Sequence, residues 1–176
     1  MKMILFVLLT FVSFLSSAQE NFKWDIVKES TKTKDQLYSD TKMFIAEVWN
    51  SAQNVIQNDD REGGLILVKG ISTQIMKIQI VYPTWSFAYT VKFYMKDHKY
   101  RIVIDNVNCE SANCGVHRWP NMPVADNYPK QKGTRTTGLN KKRYETLMLD
   151  LKEELQTLVD SYQTYMEKVN NTDSNW

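Results

Sequence analysis

The chain has 176 residues, with 22 basic and 20 acidic side chains, two histidines and two cysteines. A formal net charge of +2 supplies no strong long-range field, which argues against nucleic-acid binding driven by phosphate neutralisation. The length suits one domain with a sizeable core rather than several.

Lys2 is followed by an apolar run from Met3 to Leu15 and then by the small residues Ser16, Ser17 and Ala18. This order predicts a secretory signal peptide over residues 1–18, cleaved before Gln19. The run is shorter than the ~20 apolar residues that span a bilayer, and no cysteine follows it for lipid attachment. The expectation is an exported protein, periplasmic or secreted, with no transmembrane segment after cleavage. Lys2 leaves with the signal, so 21 basic side chains then face 20 acidic ones.

Phe22, Trp24 and Ile26 alternate with Lys23 and Asp25, which predicts a short first strand ending at Val27 or Lys28. Thr33 and Gln36 have the spacing of a capping box. Leu37, Thr41, Phe44, Ile45, Val48, Trp49 and Ala52 then form a helical stripe, predicting a helix over Lys34–Ser51. Val55 and Ile56 open a short strand, Asn58 to Gly64 form a turn, and Leu65 to Val68 form the returning strand. Gly70 is expected at a bend or bulge. Met76, Ile78, Ile80 and Tyr82 alternate with Lys77 and Gln79, predicting another half-buried strand that Pro83 ends.

The stretch Phe87–Val107 is the centre of the chain. Phe87, Tyr89, Val91, Phe93 and Met95 alternate with small or polar residues, and Tyr100, Ile102 and Ile104 resume the alternation after Asp97-His98. If Lys96 pairs with Lys99, then Met95 faces Tyr100, Phe93 faces Ile102 and Val91 faces Ile104. One register therefore places both apolar rows on one face. Residues 108–138 read as a long loop rich in Pro, Gly, Asn and Lys. Tyr144, Leu147, Leu151, Leu155, Tyr162 and Met166 keep helical spacing in a helix over residues 139–169. At about 1.5 Å per residue this is ~46 Å, longer than a small sheet covers, so an end projects or packs on a partner. A polar tail, 170–176, follows.

The order strand, helix, antiparallel strands, helix indicates a single α+β domain over residues 19–169. In it, both helices cover one face of a curved antiparallel sheet made of the first strand and the four or five that follow the first helix. The other face is left wet, carrying Lys23, Asp25, Lys77, Gln79, Thr90, Lys92, Tyr94, Arg101, Val103 and Asp105.

Asn54-Val55-Ile56-Gln57, the acidic turn, Gly63-Gly64-Leu65-Ile66 and Lys69-Gly70 resemble a pattern of exported proteins from Bacteroidetes-type bacteria. Val91 to Lys96 with Asp97 and Lys99-Tyr100-Arg101 resembles the second signature of the same family, the domain of unknown function 4468. The resemblance covers about Phe22 to Val107 and implies a TATA-binding-protein-like fold. His98 stands where such a turn more usually has Gly, and the cysteine loop lies outside the pattern. The family has no assigned activity, so the resemblance implies no catalytic residues, and its fold name implies nothing about DNA.

No constellation for catalysis emerges. His98 sits at a hairpin tip, and His117 lies in the long loop beside Arg118 and Trp119. Gly63-Gly64 opens no helix, and Glu153 and Glu154 read as a wet helix face. The expectation is a non-enzyme without cofactor or metal. Cys109 and Cys114 suggest a local disulfide in an oxidising compartment, with a Cys-Cys-His metal site or free thiols as alternatives.

Lys130, Lys132, Arg135, Lys141, Lys142 and Arg143 form a basic cluster, either a solvated loop or an anion site. Trp85, Trp119 and Tyr128 are aromatic-surface candidates, with packing favoured for Trp85. The reading is an envelope module that binds an unknown protein or ligand through Lys92, Tyr94, Arg101, Trp119, Lys141, Lys142 and Arg143. The alternative is a carrier holding a small apolar ligand between the sheet and the last helix.

Overall fold

The computed structural model describes residues 22–49, 51–80, 82–113, 122–123 and 140–172. Its elements are β1 (Trp24–Glu29), α1 (Lys34–Val48), α2 (Ala52–Val55), β2 (Ile56–Asp60), β3 (Leu65–Ile75), β4 (Thr84–Lys96), β5 (Lys99–Asn113), β6 (Met122–Pro123) and α3 (Lys141–Thr172). Five strands form an antiparallel sheet in the order β1-β5-β4-β3-β2, and the two-residue β6 pairs with β5. The class is α+β, with α1 and α3 on one face.

The central hairpin has the register its apolar rows demand: Lys96 pairs with Lys99, Met95 with Tyr100, Phe93 with Ile102 and Val91 with Ile104. Phe93, Val91, Ile102 and Ile104 are fully buried beneath the helices. β1 extends this face by pairing Trp24 with Ile104 and Ile26 with Ile102. At the start of α1, Thr33 and Gln36 form the capping box: the Thr33 hydroxyl accepts from the Gln36 N–H, and the Gln36 side chain accepts from the Thr33 N–H. The buried stripe is Leu37, Tyr38, Thr41, Phe44 and Ile45. α1 ends at Val48 rather than Ser51, because Trp49 turns to extended backbone while still donating to Ile45.

Helix α3 does not overhang. Its buried residues run from Tyr144 to Met166, and its contacts continue to Asn170, whose Oδ1 accepts from the Ser30 hydroxyl. The expected sheet was too short. β5 has 15 residues, about 50 Å at ~3.3 Å each, which matches a 32-residue helix of about 48 Å. The tilted rings of Phe44, Phe93, Tyr100 and Tyr162 fill the space between layers, with centroids 4.8 to 6.3 Å apart. The Thr41 hydroxyl donates to the Leu37 carbonyl and accepts from the Tyr162 hydroxyl, 2.8 Å away, so this buried pair is satisfied.

Several expectations are corrected. Residues 76–80 do not form the expected strand: β3 already runs to Ile75, the Met76 N–H donates to the Pro83 carbonyl, Ile78 makes only an isolated bridge, and Gln79 takes positive φ in a turn. Ile80 and Tyr82 project into solvent. Gly70 is no bulge, since β3 and β4 pair without interruption from Leu65 to Ile75. β2 begins at Ile56, and Val55 belongs to the helical turn before it. Residues 108–113 are not loop but the end of β5, and residues 122–123 are strand as well. Residues 170–172 are helical.

Candidate binding face

The face of the sheet turned away from α1 and α3 holds the residues singled out on β1, β4 and β5. Lys92 Nζ donates to Asp105 Oδ2 at 2.6 Å. Arg101 grips Asp25 through two hydrogen bonds of 2.7 and 2.6 Å, and its guanidinium lies 5.6 Å from the centre of the Tyr94 ring. Lys69 reaches Glu110 at 3.3 Å. The bidentate bonds from Arg101 hold the Asp25 carboxyl below the usual carboxylate range. Positive and negative charges therefore alternate among these residues, and each of Lys69, Lys92 and Arg101 has a carboxylate. Such a ladder favours a polar protein surface over a polyanion. Val103, expected at the wet side, is buried among these neighbours.

Beside the charged ladder runs a second lane on the same face, along β3. Leu65 and Leu67 are half-buried, and Ile71 and Ile75 are exposed. The outward, odd-numbered residues of β3 are thus apolar except for Lys69 and Thr73, while Ile66 and Val68 fill the core.

The basic cluster is elsewhere. Lys141, Lys142 and Arg143 form the first turn of α3, with Asn140 Oδ1 accepting from the Arg143 N–H as the helix cap. Lys141 lies 3.6 Å from Glu145, one turn on. These cations belong to the helical layer, so the structure does not bring them together with Lys92, Tyr94 and Arg101. Lys130, Lys132 and Arg135 lie outside the described residues, as do Cys114, His117, Trp119 and Tyr128. Cys109 is a buried core residue on β5, and its proposed partner lies outside the described region. Trp85 is fully buried and presents no surface.

Glu154 is exposed, as expected of a wet helix face, yet it also reaches the sheet: Ser72 Oγ donates to its Oε2 at 2.6 Å, and Gln74 Nε2 donates at 2.5 Å. This pairing with the polar inward residues of β3 is invisible along the sequence. Two shallow grooves open on the helical side. One, about 550 Å³, lies beside Tyr38, Lys42, Asp59 and Arg61. There the Tyr38 hydroxyl donates to Asp59, and Lys42 pairs with the same carboxylate. The other, about 580 Å³, lies between α1 and α3 beside Glu47, Asp160 and Tyr165. Among the described residues no three His, Cys, Asp or Glu side chains gather as for a metal ion, and no helix is long and apolar enough to cross a membrane.

The fold has relatives among solved structures. A TBP-like protein from Parabacteroides distasonis superposes with a TM-score of 0.63 at 10% identity, over 82% of this chain and 92% of that one. A DUF4468 family protein from Bacteroides ovatus gives a TM-score of 0.57 at 11% identity, over 79% and 84%. These likenesses show the fold alone. No curated protein matches the sequence. The family model for the domain of unknown function DUF4468, with TBP-like fold, matches residues 24–110, which carry β1 through most of β5. Over this stretch the chain is similar to the DUF4468 family.

Proposed function

We propose that the protein is an exported, non-catalytic binding module whose working surface is the uncovered sheet face. One observation carries the reading. Both helices lie on the same side of the sheet, which leaves on the other an ordered, charge-alternating array in which Asp25 and Arg101 are exposed and Lys92, Tyr94 and Asp105 half-buried. Rigid strands present such an array without an ordering penalty on binding. Arginine and tyrosine, stacked here, are the residue types that dominate protein interfaces. A carrier of an apolar ligand is disfavoured, because the rings of Phe93, Tyr100 and Tyr162 occupy the space between sheet and helix.

The test is a photo-crosslinking amino acid at Tyr94, on the open face, against one at Glu153, on the exposed side of α3, both in cell envelopes. The reading expects a discrete adduct from position 94 that Arg101→Glu and Lys92→Glu abolish. Equal labelling from both positions, or an adduct indifferent to the charge reversals, would sink it.

A further inference from the structure

Edge strands expose unpaired backbone N–H and C=O groups, and proteins guard them with charges, prolines, bulges or a covering element. The edges of this sheet are guarded unequally. β1 carries Asp25, Lys28 and Glu29, and β2 ends in Asp59 and Asp60. β2, however, pairs with β3 only over Leu65–Val68. Beyond it, β3 continues to Ile75 with β4 on one side and, among the described residues, no strand on the other. The stretch Gly70–Ile75 contains no charge and no proline, and its register with β4 has no bulge. Its outward residues are Ile71 (60% exposed), Thr73 and Ile75 (66% exposed).

We infer that two copies of this chain associate through this edge, β3 against β3 antiparallel, about a two-fold axis at Thr73. The register follows from self-complementarity. With Thr73 opposite its own copy, Ile71 faces the partner's Ile75 and Ile75 faces the partner's Ile71. β-Branched residues opposite one another and Thr–Thr contacts are favourable cross-strand pairs. On the other face Ser72 comes opposite the partner's Gln74, polar against polar. Displacing the axis by one residue sets the isoleucines against Thr73 and Lys69, or against Thr73 and Lys77, instead. The six residues themselves carry no charge, but the Glu154 carboxylate bound to each Ser72 and Gln74 is brought toward its copy, and Lys69 comes opposite the partner's Lys77, which weakens the association. Lys69 and Lys77, which flank it, are engaged within their own chain, by Glu110 at 3.3 Å and by the Tyr82 ring at 5.8 Å. A single short edge gives an interface at the low end of the specific size range, so the dimer is weak and depends on concentration. This edge is distinct from the charged ladder, and the two proposals fail independently.

Sedimentation across a concentration series is expected to show a monomer–dimer equilibrium. Ile75→Lys abolishes it with an unchanged circular-dichroism spectrum, whereas Val27→Lys, exposed on the far edge of the sheet, leaves it intact. Cysteine cross-linking under a mild oxidant reads the register, with the unchanged chain as baseline. Thr73→Cys links to itself, because directly opposed strand residues lie within disulfide reach. Ile71→Cys and Ile75→Cys each fail alone, their copies being ~13 Å apart along the strands, but link when mixed. A monomer at every concentration, a dimer untouched by Ile75→Lys, or self-linking from all three cysteines would overturn the inference.

Discussion

The ring of Tyr89 lies directly over Gly70, its cross-strand partner, so closely that a Cβ on Gly70 would stand 2.3 Å from Tyr89 Cζ and 2.6 Å from its hydroxyl oxygen. Gly70 therefore has no side chain for reasons of space, not of backbone conformation. Gly70→Ala is expected to destabilise by about 1–3 kcal/mol, the usual penalty for forcing an extra group into a packed core. In a Tyr89→Leu background the same change should lose most of its effect. Denaturant unfolding of the four variants in a double-mutant cycle reads the coupling, and additive effects would refute it.

Buried phenols set an alkaline limit. Tyr89 and Tyr100 are pushed up to about 12, by burial first and by the nearby carboxylates of Glu154 and Glu167 second. Burial raises Tyr162 as well, against the opposing hydrogen bond with Thr41. Since the folded values are raised, their stabilisation is whole below pH ~10 and is lost as pH climbs toward 12. The loss is about 1.4 kcal/mol per pH unit for each such tyrosine. Absorbance titration should show these phenols ionising only with unfolding, and a titration complete near pH ~10 in folded protein would contradict this.

Thr41→Val keeps the shape of a side chain between α1 and α3 but leaves the Tyr162 hydroxyl without a partner. The expected loss is about 1–3 kcal/mol, the penalty for an unsatisfied buried polar group. Adding Tyr162→Phe should recover part of it, since two apolar partners leave nothing orphaned. Thermal unfolding measures both, and a double variant worse than the sum of its singles would rule the account out.

The tip of the central hairpin carries His98 at φ 64°, in the left-handed region. Its backbone is bonded on both sides: the Ser30 N–H donates to the His98 carbonyl, and the His98 N–H donates to the Lys32 carbonyl. His98→Gly keeps those bonds and relieves the Cβ strain, at some loss of unfolded-state restriction. A stability gain of up to about 1 kcal/mol is expected, and a loss of that size would show that the imidazole itself matters.

Legibility followed regularity. The hairpin was readable because two apolar rows agree on one register, and the cap of α1 because Thr33 and Gln36 are local. β5 was misjudged past Val107 because its phase changes. Asn106 takes positive φ, and the pairing shifts between Ala88 and Thr90 and again between Ser86 and Phe87. Inward residues thereby switch from Tyr100, Ile102 and Ile104 to Val107 and Cys109, so alternation counted along the sequence dissolves. Residues 76–80 err in the opposite sense, showing alternation where only Ile78 makes an isolated bridge. Of the binding face, Lys92, Tyr94 and Arg101 were legible as the polar half of that alternation. Their pairing with Asp105 and Asp25 depends on strand order, which no local pattern encodes.

Helix α3 leaves the ribosome after α1 and the strands, yet its row from Tyr144 to Met166 shares with α1 the cover of the sheet. Until then a nascent chain can zip its hairpins but must hold Phe87, Phe93 and Ile102 bare, in an interval when aggregation competes with completion. A chain ending at residue 110, where the family match stops, would carry most of the sheet without α3. Stopping translation there should yield inclusion bodies rather than a smaller soluble protein.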